Sequence, residues 1–539
     1  MSVNMNFVSP QVSRRDFFKI GAAAAAVAAL GITTGCSGTG TSGSGAATSV
    51  KIKEGGTLVY AIEEPITSLN WYNNSDTDLG KQVFSNIWSP LCKFNSDGSP
   101  DYKLAKEIKI SDDGTTYTVV LRDDIKWSDG EKITADDVVF TMDLLANEQL
   151  KPNTSSAYKV DKVFCEYKKV SDTEVEFKVG RASNLFRKAV GSLVVLPAHT
   201  FSGVDQADTY TSPVNDKIAT SGAYKVDTFS TGEKIVCVKN ENYFGDKGHI
   251  DGFEVNVVSD SSTQEIAFRN GEYSLFTISN SETLANYNGS EKYNVVSYPD
   301  GRITFMEINP NAATTDSMDK RKAVIDALNI DELVYGTYGD TIFSSSAKSI
   351  RSKGSMFYND SVQNYTQNLD EAKKLMKENN LEGAKVNIIF NSARVGQEEL
   401  CTMIKSQLDA VGFDAQINSM ETAAYFKSYF YATDSFNIAI MANDMDSDPS
   451  SSVGLFNNTK SGKNMYTTEK LNGMWDELDK EMDQSKRQKI MDEAIEELHN
   501  CWSCVPVCDT NYVCATQKNL GGLEDSSRLS DLTKVYFTE

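Results

Sequence analysis

The sequence predicts a large protein of the α/β class with two or three hydrophobic cores. Apolar and polar residues alternate over short stretches such as 117–121 and 175–179, which predicts half-buried strands. Apolar residues repeat at helical spacing over 400–411, and Gly412 then marks a helix end. Both patterns recur along a chain of 539 residues that is 40% apolar, which is enough for more than one core.

Further elements are mixed with these along the chain. A strand is predicted at 56–61, where the folded part opens. Thr134 and Asp137 resemble a capping box in its Asp form, which predicts a helix start directly after Thr134. A helix is predicted at 490–498 near the end of the chain. No internal repeat is evident, and no low-complexity segment follows residue 50.

The first residues predict export. Residues 13–19 (SRRDFFK) place the pair Arg14 and Arg15 ahead of a weakly hydrophobic, alanine-rich segment at 20–35. This arrangement resembles a twin-arginine (Tat) export signal. The apolar segment is too short and too weakly hydrophobic for a membrane span, which needs about 20 strongly apolar residues. We therefore expect a mature chain that works outside the cytoplasm.

A lipid anchor is expected at Cys36. Gly35 precedes this cysteine as in a lipoprotein attachment site, whereas Thr33 replaces the usual leucine. The following residues 37–49 are nearly all Ser, Gly, Thr and Ala, the composition of a flexible tether. The alternative is cleavage nearby, which would release a protein with a spare thiol.

The charge of the chain excludes some partners. The net charge is -22, and removal of residues 1–35, which carry three cationic side chains and one anionic one, would leave -24. We expect no binding to nucleic acid, because phosphate neutralisation needs a basic surface. Anionic lipid headgroups would also repel the chain, so a covalent lipid is the expected means of membrane attachment.

Four of the nine cysteines form a cluster at Cys501, Cys504, Cys508 and Cys514. Thiolates at short spacing suit tetrahedral zinc, but structural zinc sites usually pair two short hooks across a longer gap. Apolar residues lie between these cysteines, which favours core thiols or one disulfide over a metal site. We expect no cofactor.

Residues 121–138 and four further ordered segments, at 111–117, 221–226, 239–244 and 321–328, resemble the family 5 extracytoplasmic solute-binding proteins of ABC importers. Residues 121–138 (LRDDIKWSDGEKITADDV) are similar to the family pattern LRDGVKFHDGEPLTAEDV. Four further segments are similar to family motifs in the same order along the chain: 111–117 (SDDGTTY), 221–226 (SGAYKV), 239–244 (KNENYF) and 321–328 (RKAVIDAL). The resemblance covers about 55 to 530 and specifies the family without specifying the ligand.

The resemblance implies a periplasmic-binding-protein-like fold, with two α/β lobes joined by a two-segment hinge and an extra inserted domain. The implied division is a signal peptide at 1–35, an anchor cysteine and tether at 36–54, domain I at 55–88, 201–300 and 511–539, domain II at 89–200, and domain III at 301–510. It implies a monomer that captures a solute by hinge closure and delivers it to a permease with a separate ATPase subunit.

The resemblance also implies ligand-binding residues. Peptide-binding members hold the α-ammonium group with an aspartate just before a proline, and Asp444, or as second choice Asp446, matches that place near Pro449. The alternative is a solvated acidic loop. Arg394 lies near the arginine that dipeptide binders use for the carboxylate, with a surface arginine as alternative. Trp71 is expected in a cleft-lining loop, where its ring could stack on a ligand or simply pack against the protein. Tyr425 is a weaker candidate that could instead belong to the core.

We therefore predict a receptor for a peptide or peptide-like solute. The alternatives within the family are a receptor for nickel or another metal chelate, haem or an oligosaccharide. The chain has three histidines, His199, His249 and His499, and none has a setting that suggests a metal site. An exported enzyme is a further alternative, but the sequence has no G-x-S-x-G, H-E-x-x-H, P-loop or C-x-x-C-H motif.

Overall fold

The computed structural model describes residues 51–74, 78–150, 153–362, 364–394, 396–431, 435–444, 456, 466–524 and 529–539. Its strands are β1 (Ile52–Lys53), β2 (Thr57–Ile62), β3 (Cys92–Phe94), β4 (Pro100–Tyr102), β5 (Ala105–Ile110), β6 (Thr116–Leu121), β7 (Lys159–Val160), β8 (Val163–Phe164), β9 (Glu166–Ser171), β10 (Glu174–Lys178), β11 (Tyr224–Ser230), β12 (Lys234–Lys239), β13 (Gly252–Val257), β14 (Leu275–Thr277), β15 (Tyr293–Ile308), β16 (Ser344–Ser346), β17 (Lys385–Asn391), β18 (Asp414–Met420), β19 (Ile438–Asp444), β20 (Cys504–Gln517), β21 (Leu520–Gly521) and β22 (Tyr536–Thr538).

The helices with described bounds are α1 (Trp71–Asn74), α2 (Asp78–Ile87), α3 (Ala135–Ala146), α4 (Asn184–Gly191), α5 (Ser261–Arg269), α6 (Ser281–Ala285), α7 (Met318–Asp326), α8 (Ile330–Tyr338), α9 (Leu369–Glu378), α10 (Gln397–Val411), α11 (Thr422–Tyr431), α12 (Glu469–Lys480) and α13 (Gln484–Asn500). No helix among the described residues is long and apolar enough to cross a membrane.

Local sequence signals explain several of these elements. The predicted helix start after Thr134 is confirmed, since α3 begins at Ala135 and the Thr134 amide donates to the Asp137 carboxylate at 2.9 Å. The predicted end of α10 is also confirmed, because Gly412 follows the last helical residue with a φ of 111°. Such a left-handed conformation costs glycine little, whereas a β-carbon would strain it.

The first lobe is built around one large core. Two four-stranded sheets contribute to it, one in the order β5-β6-β10-β9 and the other in the order β11-β12-β13-β2. Tyr117 and Val175 from the former pack in the same cluster as Leu58 and Phe253 from the latter. Because a single core spans both sheets, they form one body.

The second lobe is built on one end of a seven-stranded sheet, with helices on both faces. The other end, where β14 pairs with residues 514–516 of β20, contributes to the first-lobe core. The strand order of the sheet is β14-β20-β15-β19-β17-β18, with β16 paired to β20. One face packs against α7, α8, α9 and α10, and the other packs against α11, α12 and α13. Strands β17, β18 and β19 are parallel to one another, so their carboxyl ends lie at one edge of the sheet.

The chain crosses between the lobes in β15 and returns in β20. Tyr298 of β15 lies in the first-lobe core, and Phe305, further along the strand, lies in a second-lobe core. The antiparallel β20 runs from Cys504 in that second-lobe core to Cys514 in the first-lobe core. The two-lobed fold with a two-segment connection, which the sequence predicts, is therefore the fold of the described chain.

The pairing of the crossing strands is interrupted where they pass between the lobes. The β15–β20 register shifts between Pro299 and Ile303, and Gly301 within this break has a φ of 74°. The break coincides with the change from first-lobe to second-lobe packing. An interrupted ladder is easier to bend than a continuous one, so residues 299–303, called the hinge below, are the segment of the crossing strands best suited to bending.

Candidate functional site

The carboxyl edge of the parallel strands in the second lobe is the candidate site. The register pairs Ile388 of β17 with Ile438 of β19, and Ile389 with Ala439. Arg394 lies in the turn that follows β17, and Asp444 is the last residue of β19, so both come after the carboxyl ends of neighbouring parallel strands. Ligands of α/β sheets bind outside the carboxyl ends of the strands, so this edge suits a ligand site.

Asp444 is the last residue of β19 and lies opposite Arg302 in the antiparallel β15–β19 pair. This register places it directly beside the hinge segment 299–303. Asp446, the second choice for the ammonium partner, lies outside the described residues. The roles of both aspartates stay predictions.

Arg394 lies in the exposed turn between β17 and α10. Its amide donates to the Asn391 carbonyl at 3.0 Å, and the Asn391 side chain accepts from the Ala393 amide at 3.0 Å. The buried Asn391 side chain also accepts from the Thr422 hydroxyl at 3.1 Å, which joins this turn to the start of α11. The turn is therefore held by hydrogen bonds while Arg394 remains exposed.

Trp71 lies in the first lobe, at the start of α1 and after the carboxyl end of β2. Its ring is half-buried and meets Phe84 edge to face, with 6.4 Å between ring centroids. The preceding Asn70 is fully buried, and its side chain accepts from the Tyr72 amide at 3.0 Å and donates to Asn215 at 3.0 Å. The loop is therefore held by hydrogen bonds beside Trp71, and the Trp71 ring packs against the first-lobe core.

Tyr425 packs inside the second lobe, with 1% of its surface exposed. Its hydroxyl donates to the Ile440 carbonyl at 2.6 Å, and its ring stacks on Tyr429 at 5.9 Å. These contacts are those of a core residue, which is the alternative that the sequence left open for this tyrosine. The role of Tyr425 in ligand binding stays a prediction, and the hydrogen bond and ring contact described here do not support it.

The hinge residues are candidate functional positions that the sequence reasoning did not single out. Asp300 accepts from the Arg302 amide at 2.8 Å and from the Thr510 hydroxyl at 2.8 Å, which ties β15 to β20 across the break. On the other strand, Asp509 accepts from the Ser352 hydroxyl at 2.9 Å and from the Lys353 amide at 2.7 Å. Burial raises the pKa of the Asp509 carboxyl. The sequence does contain a signal for this break, since Pro-Asp-Gly at 299–301 is a turn sequence inside an otherwise apolar strand.

Tyrosines line the first-lobe side of the hinge. Tyr298 and Tyr512 face each other from the two crossing strands, with 5.3 Å between ring centroids. Thr277 and Tyr512 share a hydrogen bond of 2.8 Å. Tyr60 of β2 is 1% exposed, and burial together with nearby Cys237 and Tyr512 raises the pKa of its hydroxyl. An apolar, aromatic surface therefore adjoins the hinge.

The histidines and cysteines are occupied by protein contacts. His199 lies 2.8 Å from Asp129, and His249 lies 2.8 Å from Glu54. His499 stacks on Tyr365 at 4.1 Å, and burial lowers its pKa. Cys501, Cys504, Cys508 and Cys514 are buried free thiols, so they are the core thiols that the sequence favoured, without a disulfide. Within the described ranges, no group of three or more His, Cys, Asp or Glu could hold a metal ion.

Two cavities lie away from the candidate edge. A cavity of about 280 Å³ lies at the first lobe between Lys93, Arg122, Tyr243 and Asp531. A groove of about 670 Å³ runs over the second lobe beside Asp331, Lys348, Asp360 and Gln367. Trp71, Arg394 and Asp444 line neither of them.

Comparison with known protein families identifies two segments. Residues 99–465 match the model of the bacterial extracellular solute-binding proteins, family 5 Middle. Residues 11–31 match the twin-arginine translocation pathway signal sequence.

Three curated relatives illustrate the range of named ligands. The oligopeptide-binding protein AppA of Bacillus subtilis is 28% identical over 306 residues, or 56% of this chain. The dipeptide-binding protein of Escherichia coli is 26% identical over 345 residues, or 60% of this chain. The nickel-binding periplasmic protein of Escherichia coli is 26% identical over 276 residues, or 49% of this chain. The matched segments span 55%, 64% and 51% of the relatives' own lengths.

Solved structures share the fold over nearly the whole chain. The ABC transporter substrate binding protein CtaP from Listeria monocytogenes superposes with a TM-score of 0.81 and 25% identity, covering 90% of this chain and 100% of that one. The oligopeptide-binding protein AppA from Bacillus subtilis in complex with a nonapeptide superposes with a TM-score of 0.72 and 21% identity, covering 91% and 100%. The latter likeness supports the fold alone.

Proposed function

The chain belongs to the family 5 bacterial extracellular solute-binding proteins, and on this premise we propose that it is the receptor of an ABC importer for a peptide or peptide-like solute. Two of the curated relatives named above are peptide-binding proteins, which favours this ligand class. The partners would be a membrane permease and its ATPase subunit. The receptor itself would leave its ligand chemically unchanged.

The observation that carries the proposal is the interrupted pair of crossing strands. A register break between Pro299 and Ile303, at the level where packing passes from one core to another, permits rotation of one lobe against the other. A ligand that contacts both lobes favours the closed form by the difference between its affinities for the closed and open forms. Capture by closure needs no further moving part.

The candidate residues suit the two ends of a peptide. An enclosed ammonium group needs a carboxylate partner, which Asp444 would supply, and a carboxylate is best bound by a guanidinium group, which Arg394 would supply. The two positions follow parallel neighbouring strands at one edge of the second lobe. Trp71 on the first lobe would add an aromatic contact, so a ligand that reached all three would bridge the lobes.

The proposed location is the outer face of the cell membrane. The matched twin-arginine signal directs export, and the acyl group expected on Cys36 would anchor the chain. The tether at 37–49 would let the folded part reach a permease beside it. Since the matched segments span only part of the curated relatives, these whole-protein properties are proposals.

A metal-chelate receptor is the second candidate, and the nickel-binding relative favours it. The three histidines argue against direct metal ligation, because each contacts another protein group at the distances given above. A chelate held through its organic ligand would not need them. The two candidates are separated by the ligand that the purified protein selects.

The test is a thermal-shift screen of the mature chain with di- to pentapeptides, oligosaccharides, and nickel and iron chelates. A ligand that binds only the native state raises the melting temperature, by an amount that grows with its concentration. We expect peptides to give the shift and Asp444→Ala to abolish it for any ligand with a free amine. Shifts with metal chelates alone would favour the second candidate.

Asp414→Ala is the matched control for this variant. Asp414 begins β18, at the opposite edge of the same parallel strands, so it removes one carboxylate far from the candidate edge. The control should keep the full ligand-induced shift. An unchanged shift in Asp444→Ala would remove Asp444 from the site, and turnover of a substrate by the purified protein would refute the receptor assignment.

A further inference from the structure

A second contact joins the two lobes away from the crossing strands. It lies between the start of α4 and the end of α12. Asp479 of α12 accepts hydrogen bonds from the Arg181 guanidinium at 2.9 Å, the Ser183 hydroxyl at 3.0 Å and the Leu185 amide at 3.0 Å. The Asp479 side chain is 13% exposed, so these bonds are largely shielded from water.

The contact is reciprocal. Asn184, the first residue of α4, is 1% exposed, and its side-chain amide donates to the carbonyls of Leu478 at 3.3 Å and Asp479 at 3.1 Å, and also to that of Glu481. These carbonyls belong to the C-terminal end of α12, where helical partners are missing. Each helix thus caps the other, and the positive end of α4 faces the negative end of α12.

The two helices belong to different lobes. Phe186 of α4 packs in the first-lobe core, and Trp475 of α12 packs in a second-lobe core. Half-buried apolar residues also meet across the junction, since Phe94 packs against the second-lobe core and Met482 against the first-lobe core. A mainly polar junction between separate cores resembles an interface that can open, because water can replace its hydrogen bonds.

We propose that the arrangement in which α4 and α12 meet is the closed arrangement of the lobes, and that this reciprocal helix-end contact is a latch that stabilises it. It joins residues that are 294 to 298 positions apart and uses none of the residues of β15 or β20. A rotation at the hinge that opens the lobes must therefore break the hydrogen bonds between α4 and α12. This inference rests on the proposed function in one respect, namely that closure of the lobes captures the ligand. The latch itself acts before any ligand binds, by setting the fraction of molecules in the closed form.

The latch makes ligand affinity depend on residues outside the cleft. Apparent affinity falls in proportion to the fraction of the protein in the binding-competent form. Hydrogen bonds to a carboxylate are among the stronger ones, so loss of three of them should lower the closed-to-open ratio by roughly ten-fold or more. Any ligand of the closed form would lose affinity to the extent that the closed population falls.

The test measures the distance between the lobes without ligand. Spin labels would be placed on cysteines introduced at Val163 in the first lobe and Tyr335 in the second, whose side chains are 69% and 67% exposed. The full mature chain would carry Cys36→Ser, and the other native cysteines are buried, so labels attach to the introduced sites. We expect Asp479→Ala to shift the distance distribution from the wild-type position to longer distances.

Asp479→Ala should not impair folding. Among the described residues, the Asp479 carboxylate accepts its hydrogen bonds from the first lobe, and Arg181 keeps Asp161 at 3.0 Å, so no buried cation loses all its partners. Glu477→Ala is the matched control, since it removes an exposed carboxylate two residues earlier in the same helix and should leave the distances unchanged.

Equal distance distributions for the wild type and Asp479→Ala, both folded by melting temperature, would overturn the latch. The same shift in Glu477→Ala would also overturn it, because a general charge effect would then explain the result. Since no ligand is present, a negative result leaves the receptor assignment intact. Failure of the ligand screen likewise leaves the latch measurement valid.

Discussion

Asp326 predicts a pH dependence of stability that can be traced to one carboxyl group. It ends α7, within the segment 321–328 that resembles a family motif, and it is 4% exposed. Its Oδ2 atom is buried without a hydrogen-bond partner among the described residues. Burial raises the pKa of this carboxyl from 3.8 to about 6, with Lys322 opposing the rise and Glu371 adding to it.

The direction follows from linkage. Between pH 4 and pH 6 the folded protein holds a proton on Asp326 that the unfolded chain has released, so stability falls as pH rises through this window. The stabilising effect of the bound proton is complete below about pH 4 and lost above about pH 6. A shift of about two pKa units corresponds to at most about 3 kcal/mol, and incomplete burial would reduce it to somewhat less.

The assay compares the wild type with Asp326→Asn by urea unfolding at pH 4, 6 and 8, followed by tryptophan fluorescence. The free energy of unfolding of Asp326→Asn relative to the wild type should rise by about 1–3 kcal/mol from pH 4 to pH 8. A constant offset from the new amide does not affect this change. Asp319→Asn, an exposed position in the same helix, is the control and should show no such rise.

A difference between Asp326→Asn and the wild type that stays flat from pH 4 to pH 8 would refute the reasoning. It would mean that the carboxyl group is hydrated or hydrogen-bonded in solution. A difference of the opposite sign would mean that Lys322 dominates over burial. Either result would remove Asp326 from the causes of pH-dependent stability.

Two further predictions concern the hinge and the thiols. Gly301→Val should lower the melting temperature, since a β-branched residue at a φ of 74° costs about 1–2 kcal/mol, whereas Gly473→Ala in α12 should raise it slightly. In the native protein the eight described cysteines should be inert to a thiol reagent, because they are buried and burial raises the pKa of each thiol. In denaturant, the chain extracted from membranes should have eight thiols that react with the reagent if Cys36 is acylated. Nine reactive thiols per chain would exclude acylation of Cys36.

Local signals predicted the elements well because their causes are local. The helix that begins after Thr134 depends on a hydrogen bond between residues three positions apart. The end of α10 depends on the conformational freedom of Gly412 alone. By contrast, the partnership of Asn184 with the end of α12 depends on residues almost 300 positions away, and no sequence pattern marks it.

The candidate site could be predicted only in part. Arg394 and Asp444 were placed by family resemblance, and the parallel register accounts for their common edge. Tyr425 shows the weakness of such a transfer, because an aromatic helix near the site also supplies the core of its own lobe. The domain boundaries implied by the resemblance stay predictions, although the separate cores agree with a division near the hinge at 299–303.

The two crossing strands change lobes at the same level, which fixes where rotation takes place. Pro299 pairs with Asn511, and the register of β15 then breaks. The Asn511 amide donates to the Phe343 carbonyl at 2.8 Å, and Phe343 packs in a further cluster with Val513, while β16 pairs with residues 508–510 just before Asn511. Tyr512, the next residue, packs on Tyr298 of the first lobe. Rotation of one lobe against the other is therefore expected around the Pro299–Asn511 pair, because the crossing strands contribute to the first-lobe core on one side of it and to a second-lobe core on the other.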